Sequence, residues 1–265
     1  MTRTLALITL APIAILTACG TEPIVPPEPD PQDMFWEALS SHCGKAYAGT
    51  LVSSDTADVD FQGAEMVMHV SECSDDRIAV PFHVSMDGEW DRSRTWLITR
   101  TAVPHMSGQG ETPLGLRLKH DHRHEDGEPD AVTMYGGDTA DEGTGRGQSF
   151  PVDDFSVEMF EREGLGASVT NVWTVEVDTA GNEGATFAYQ LQRRVETGAP
   201  EDRFFRVEFD LSEEVKAPPP AWVGRKANSR NGASERSPCS RSPCSRSPCS
   251  RSPCAGGQPA RWLWQ

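Results

Sequence analysis

No Gly-x-Ser-x-Gly elbow, no phosphate-binding P-loop, no dinucleotide fingerprint and no His-Glu-x-x-His pair occurs in the 265 residues. The common signatures of serine hydrolases, NTPases, Rossmann enzymes and zinc proteases are therefore missing. Positive charge is also scarce, with 24 Lys and Arg against 40 Asp and Glu. Eight of those basic residues and only one acid lie from Arg225 onward, so the rest of the chain has 16 basic against 39 acidic residues. Phosphate backbones are held by clustered Lys and Arg, so this balance argues against a nucleic-acid partner. It suits a soluble, self-repelling surface. Long apolar runs are lacking too. The run from Leu5 to Leu16 is too short to span a bilayer comfortably.

What is present at the N-terminus reads as an address. Arg3 supplies a short positive region, the apolar run comes next, and small residues lead to Cys19, the pattern of a secretory signal peptide over 1–18. Leu16-Thr17-Ala18-Cys19 resembles the lipobox of bacterial lipoproteins. That resemblance implies cleavage before Cys19, lipidation of Cys19 and export. Gly20 at the next position resembles the class sorted to the outer membrane, facing the periplasm. Residues 19–32 then form a Pro-rich acidic spacer with no helix or strand of its own.

From 33 to 214 the pattern is that of one domain, large enough to bury a core. A short helix is expected from Asp33 as N-cap to Gly44, with Phe35, Trp36, Leu39 and Cys43 on one face. A second is expected over Asp153–Glu163, stopped by Gly164. Between and after them about nine short strands alternate. They cover Ala46–Ser53, Glu65–Glu72, Ile78–Ser85, Thr95–Val103, Leu114–His124, Ala131–Tyr135, Ser168–Asp178, Ala185–Arg194 and Arg203–Leu211. The connecting turns carry Gly and Asp, which implies antiparallel neighbours. The expected fold is all-β, an antiparallel meander closed into a lipocalin-like β-barrel, which removes sheet edges. A β-sandwich is the alternative. Cys43 and Cys73 are the only cysteines of the domain, and an exported protein meets an oxidising compartment, so a disulfide between them is expected.

Several stretches of 35–222 resemble a family of bacterial exported proteins to which no activity is attached. They are Phe35-Trp36-Glu37-Ala38-Leu39, Met68 to Asp76, Pro81-Phe82-His83-Val84, Asp91 to Trp96, the 116–141 stretch, Thr170-Asn171-Val172-Trp173 and Phe205 to Leu211. The resemblance implies location and domain limits and no chemistry.

Residues 215–265 read as a disordered tail. Over 235–254 an Arg-Ser-Pro-Cys-Ser repeat brings Cys239, Cys244, Cys249 and Cys254. Proline every fifth residue makes no core. The cysteines have the chemistry for metal binding or cross-linking, but four exposed thiols in an exported chain are a disulfide hazard. The repeat reads as an addition beyond a natural end near Pro220-Ala221-Trp222.

The densest chemistry lies in 116–124. His120, His122 and His124 alternate with Asp121 and Arg123, so they share a face with Leu116 and Leu118. The inward face is expected to run from the leucines into His120 and His122, with His124 at the turn. An i, i+2 pair on a strand starts roughly 7 Å apart, close enough for two imidazoles to converge on one divalent metal. Asp138 is the nearest further ligand, with Asp141, His69 and His83 behind it. The plainer reading makes the histidines the polar rim of a hairpin. Arg92 and Arg94, with Tyr135 and Thr133, are the other candidate ligand-binding residues. The two arginines share a parity that suits one carboxylate or phosphate, although an ion pair with Asp91 also fits. The function expected from all this is a lipid-anchored, non-enzymatic envelope domain that binds a small ligand or an envelope protein. A metal-binding protein or metal-dependent enzyme using His120 and His122 is the alternative.

Overall fold

The computed structural model describes residues 29–102 and 114–222. The expected signal peptide over 1–18, Cys19, most of the expected spacer over 19–32 and the 235–254 repeat lie outside the described residues. Element α1 spans Pro31–Ser40. Its N-cap is Asp30, whose carboxylate accepts from the backbone of Gln32 and Asp33, with Pro31 in the first turn. The helix therefore starts two residues before the expected Asp33 cap. It ends at Ser40, and a turn carries Cys43 to the left-handed Gly44.

Eleven strands make up the rest of the framework: β1 Ala46–Leu51, β2 Met66–His69, β3 Glu72–Cys73, β4 Arg77–Met86, β5 Glu89–Ala102, β6 Leu114–His122, β7 Tyr135–Asp138, β8 Gly147–Pro151, β9 Val172–Val177, β10 Thr186–Arg193 and β11 Arg203–Glu214. One further α-helix, α2, covers Asp154–Arg162 and is capped by Asp153. All named pairings are antiparallel, in the order β7-β6-β5-β4-β2-β1-β11-β10-β9-β8, with β3 paired to β4. This is a single sheet curled into a nearly closed barrel, so the β-sandwich alternative is set aside. Strand neighbours in space lie close in the chain, with β2 pairing β4 past the two-residue β3, and β1 pairs with β11.

The seam lies between β7 and β8. Asp153 donates its backbone N–H to Gly136 O at 2.9 Å. A side chain at Gly137 would put its Cβ 1.7 Å from Pro151 O, and one at Gly136 would lie 1.9 Å from Leu118 O. The Gly136-Gly137 pair is thus what lets β7 fit between β6 and β8. The structure departs from the expected strands on both sides of this seam. Residues 131–134 are not strand, and β7 begins only at Tyr135. The short β8, bounded by Gly147 and Pro151, shows no alternation strong enough to announce itself.

Inward residues of every strand fill the barrel with aromatic and branched side chains. Trp96 stacks on Tyr189 at 4.4 Å and on Phe82 at 4.9 Å. Phe187, Phe205, Phe209 and Trp173 are fully buried around them. At one end α1 packs against β6, β8 and β9, and Arg100 lies over the Trp36 ring at 4.7 Å. The Cys43–Cys73 disulfide ties the turn after α1 to β3.

The chain does not leave the barrel at residue 215. Val215 N donates to Ala46 O on β1, Pro218 is buried, and Trp222 N donates to Arg92 O on β5. Residues 215–222 form a proline-rich strap from β1 to β5. The expected boundary at 214 is corrected accordingly, because polyproline backbone needs no ladder of its own to lie on a sheet.

Candidate functional site

Four of the expected site residues, Arg94, His120, His122 and Tyr135, meet at the far end of the barrel, where β6 and β10 finish and β5 and β9 begin. His120 and His122 face inward on β6. His120 is buried, and its Nδ1 donates to the backbone O of Tyr135 at 3.0 Å. A carbonyl only accepts, so Nδ1 carries the proton and Nε2 accepts from Tyr189 Oη at 2.8 Å. The His120 ring lies flat on Tyr135, centroids 4.4 Å apart. Burial pushes its pKa down to about 3, a shift the Lys119 charge reinforces and the Tyr135 carbonyl partly offsets. His122 is half-buried, and its Nε2 pairs with Tyr135 Oη at 3.1 Å. Burial, with the Arg94 charge behind it, holds it well below the ordinary histidine range. Both imidazoles are neutral at physiological pH, and burial likewise keeps Tyr135 and Tyr189 protonated.

The two arginines are separated by a β-bulge. Phe82 pairs with Arg94 and Val84 with Asp91, so Arg92 and Ser93 both stand opposite His83. The extra residue reverses the parity of the strand on its far side. Arg94 therefore turns inward and donates to Asp91 Oδ2 at 2.5 Å. Arg92 turns outward, donates to Pro220 O at 2.9 Å and lies over the Trp222 ring. The shared anion site expected from Arg92 and Arg94 is not formed.

The expected metal set is not assembled either. Asp138 lies on the outer face, where it receives Arg117 through both oxygens at 2.5 and 2.8 Å. His120 spends both nitrogens on Tyr135 and Tyr189. His124 is exposed in the turn, where its N–H donates to Glu128 O. Asp141 accepts at its backbone O from Gln32, beside α1. His69 and His83 sit on the outside of β2 and β4. Among the described residues, no three of His, Cys, Asp and Glu are grouped as metal ligands.

What does converge is a recess lined by Phe82, Arg94, Trp96, His120, His122, Tyr135 and Tyr189, with a cavity volume of ≈ 10 Å³. That is room for one water. Arg94 is matched by Asp91 and the other polar groups are neutral, so the recess carries no net charge. Tyr189 was missed in the sequence. Its alternation with Phe187 and Leu191 marks it as core, and nothing local says that its hydroxyl meets a histidine 69 residues away. The described residues thus form a small antiparallel barrel with a packed interior and a polar recess at its far end. No family model matches it, and neither a curated protein nor a solved structure is found to be similar.

Proposed function

We propose that this chain is a lipid-anchored, non-enzymatic β-barrel domain of the bacterial cell envelope, tethered through Cys19, that binds a small polar ligand or the tip of an envelope partner. The observation that carries the reading is the recess itself. Two neutral imidazoles and two phenols converge there with perturbed acidity, the usual mark of a binding site. At ≈ 10 Å³ it takes a terminal group and not a whole lipid or cofactor. Its zero net charge favours an uncharged hydrogen-bonding group such as an amide, met by His122 Nδ1 and Tyr135 Oη. A metal-binding role through His120 and His122 is weaker, because His120 has both nitrogens engaged in the core.

Two measurements test the reading. Fractionation of cells should find the full chain with membranes and Cys19→Ala released, and release of neither would remove the anchor from the proposal. Titration of the purified protein with acetamide and, separately, acetate should move the His122 ring resonances saturably only with acetamide. No response to acetamide would sink the recess as a ligand site.

A further inference from the structure

A second polar group lies on the barrel's inward face and belongs to no part of the recess. The β9–β10 register sets Leu191 opposite Trp173 and Gln192 opposite Val172. One step further, Arg193 stands opposite Asn171, whose carbonyl continues the β8–β9 ladder by accepting from Val152 N at 2.9 Å. Arg193, Asn171 and Trp173 share the inward parity and are 4, 0 and 0 % exposed. Ser168, one turn before Asn171, is buried too.

All four hold polar atoms without a hydrogen-bond partner. They are Arg193 Nε and Nη1, both amide atoms of Asn171, Trp173 Nε1 and Ser168 Oγ. Arg193 makes one side-chain bond, from Nη2 to Glu201 Oε1 at 2.9 Å, and that carboxylate is mostly in solvent. Its neighbour on β11, Arg203, is fully committed to Asp55 and Asp58. A guanidinium does not shed its proton when buried, and unmet donors at this depth are costly. Most of the unmet atoms are donors, two of them on a guanidinium, a complement for oxygen acceptors bearing negative charge.

We propose that Arg193, Asn171 and Trp173, with Ser168 beside them, form a binding site for a small oxyanion group, a carboxylate or a phosphate, at the far end of the barrel. Arg193 supplies the charge and a pair of N–H groups. The Asn171 amide and Trp173 indole supply further donors that fix the anion's orientation. The site shares no residue with the recess lining, although the Trp173 ring packs on His120 at 5.1 Å and on Tyr135 at 5.7 Å, and it takes a charged group where the recess takes a neutral one.

The test is titration of the full-length protein with acetate and with inorganic phosphate at constant ionic strength, following the Trp173 indole N–H resonance. A saturable displacement is expected with one of the two anions at about 10 mM or below. Acetate alone would identify a carboxylate ligand, and phosphate alone a phosphorylated one. Arg193→Gln should weaken the response by about tenfold or more. Should that variant fail to fold, Arg193→Lys keeps the charge but loses the two-pronged geometry, and it should also bind more weakly. An indole that neither anion moves saturably would mean that the donors are met by water only. Equal binding by the Arg193 variants would assign the anion elsewhere. Either result overturns the proposal.

Discussion

Tyr189 and His120 meet across the barrel interior, 2.8 Å from hydroxyl to Nε2, although they stand on β10 and β6 at opposite sides of the sheet order. The bond crosses the core and fixes the imidazole tautomer. Tyr189→Phe removes the donor and leaves Nε2 buried without a partner. A loss of about 1–3 kcal/mol in unfolding free energy is expected from urea titration. A variant as stable as the parent would show that the hydroxyl contributes nothing to folding.

Stability should fall on mild acidification. His83 lies on the outer face of β4, 1 % exposed, with neither ring nitrogen hydrogen-bonded. Burial lowers its pKa to about 4, the His69 and Arg92 charges push it the same way, and Asp91 opposes them. The unfolded chain then binds the proton first, near its ordinary value of 6.5. Stability from the neutral ring is complete above that value and is lost as pH drops from 6.5 to about 4. The loss is on the order of 3 kcal/mol from this residue. Denaturation midpoints across that range should decline, and His83→Leu should flatten the slope by about one proton. An unchanged slope would assign the pH dependence to other groups.

Gly137→Ala strikes the seam. The new methyl meets the Pro151 carbonyl, a backbone atom that moves only if β7 and β8 part. Destabilisation of about 3 kcal/mol or more is expected, with faster amide exchange at Asp153, whose N–H bonds Gly136 O across the same gap. An alanine variant with normal exchange at Asp153 would mean that the barrel closes without the glycine.

The buried pair of Arg203 and Asp58 anchors the 3-10 turn of 56–61 beneath β11, and Ser53 Oγ adds a bond to the same carboxylate at 3.1 Å. Breaking it from one side strands a charge. Arg203→Ala should lower stability by about 3–5 kcal/mol, whereas the joint change of Arg203→Met with Asp58→Leu should restore much of that loss. A calorimetric double-mutant cycle with additive effects would refute the coupling.

Period-two alternation announced the barrel and most of its strands, since one face of each is aromatic or branched. Ile78, Val80, Phe82 and Val84 are an instance, all buried. The inward direction of His120 and His122 was legible for the same reason. The bulge at Arg92-Ser93 was not. It depends on how β4 and β5 register, and it sends two arginines of one apparent parity to opposite sides of the sheet. Asp138 was misplaced because the run of charges near it says nothing about side until Gly136 and Gly137 fix where β7 starts. Arg193 and Asn171 were not legible as a pair, being far apart in the chain and adjacent only after the β9–β10 hairpin forms.

The barrel's order carries a consequence for how it assembles. Most pairings join strands close in the chain and can form as successive hairpins. The β1–β11 ladder, which brings Tyr47 to Glu214, spans nearly the whole domain. Loop-closure entropy makes that union the late step. Until it occurs, β1 and β11 are bare edges of two separate sheets, β1 to β7 and β8 to β11, open to pairing with another chain. Conditions that slow this last closure should turn monomers into swapped dimers before they unfold anything.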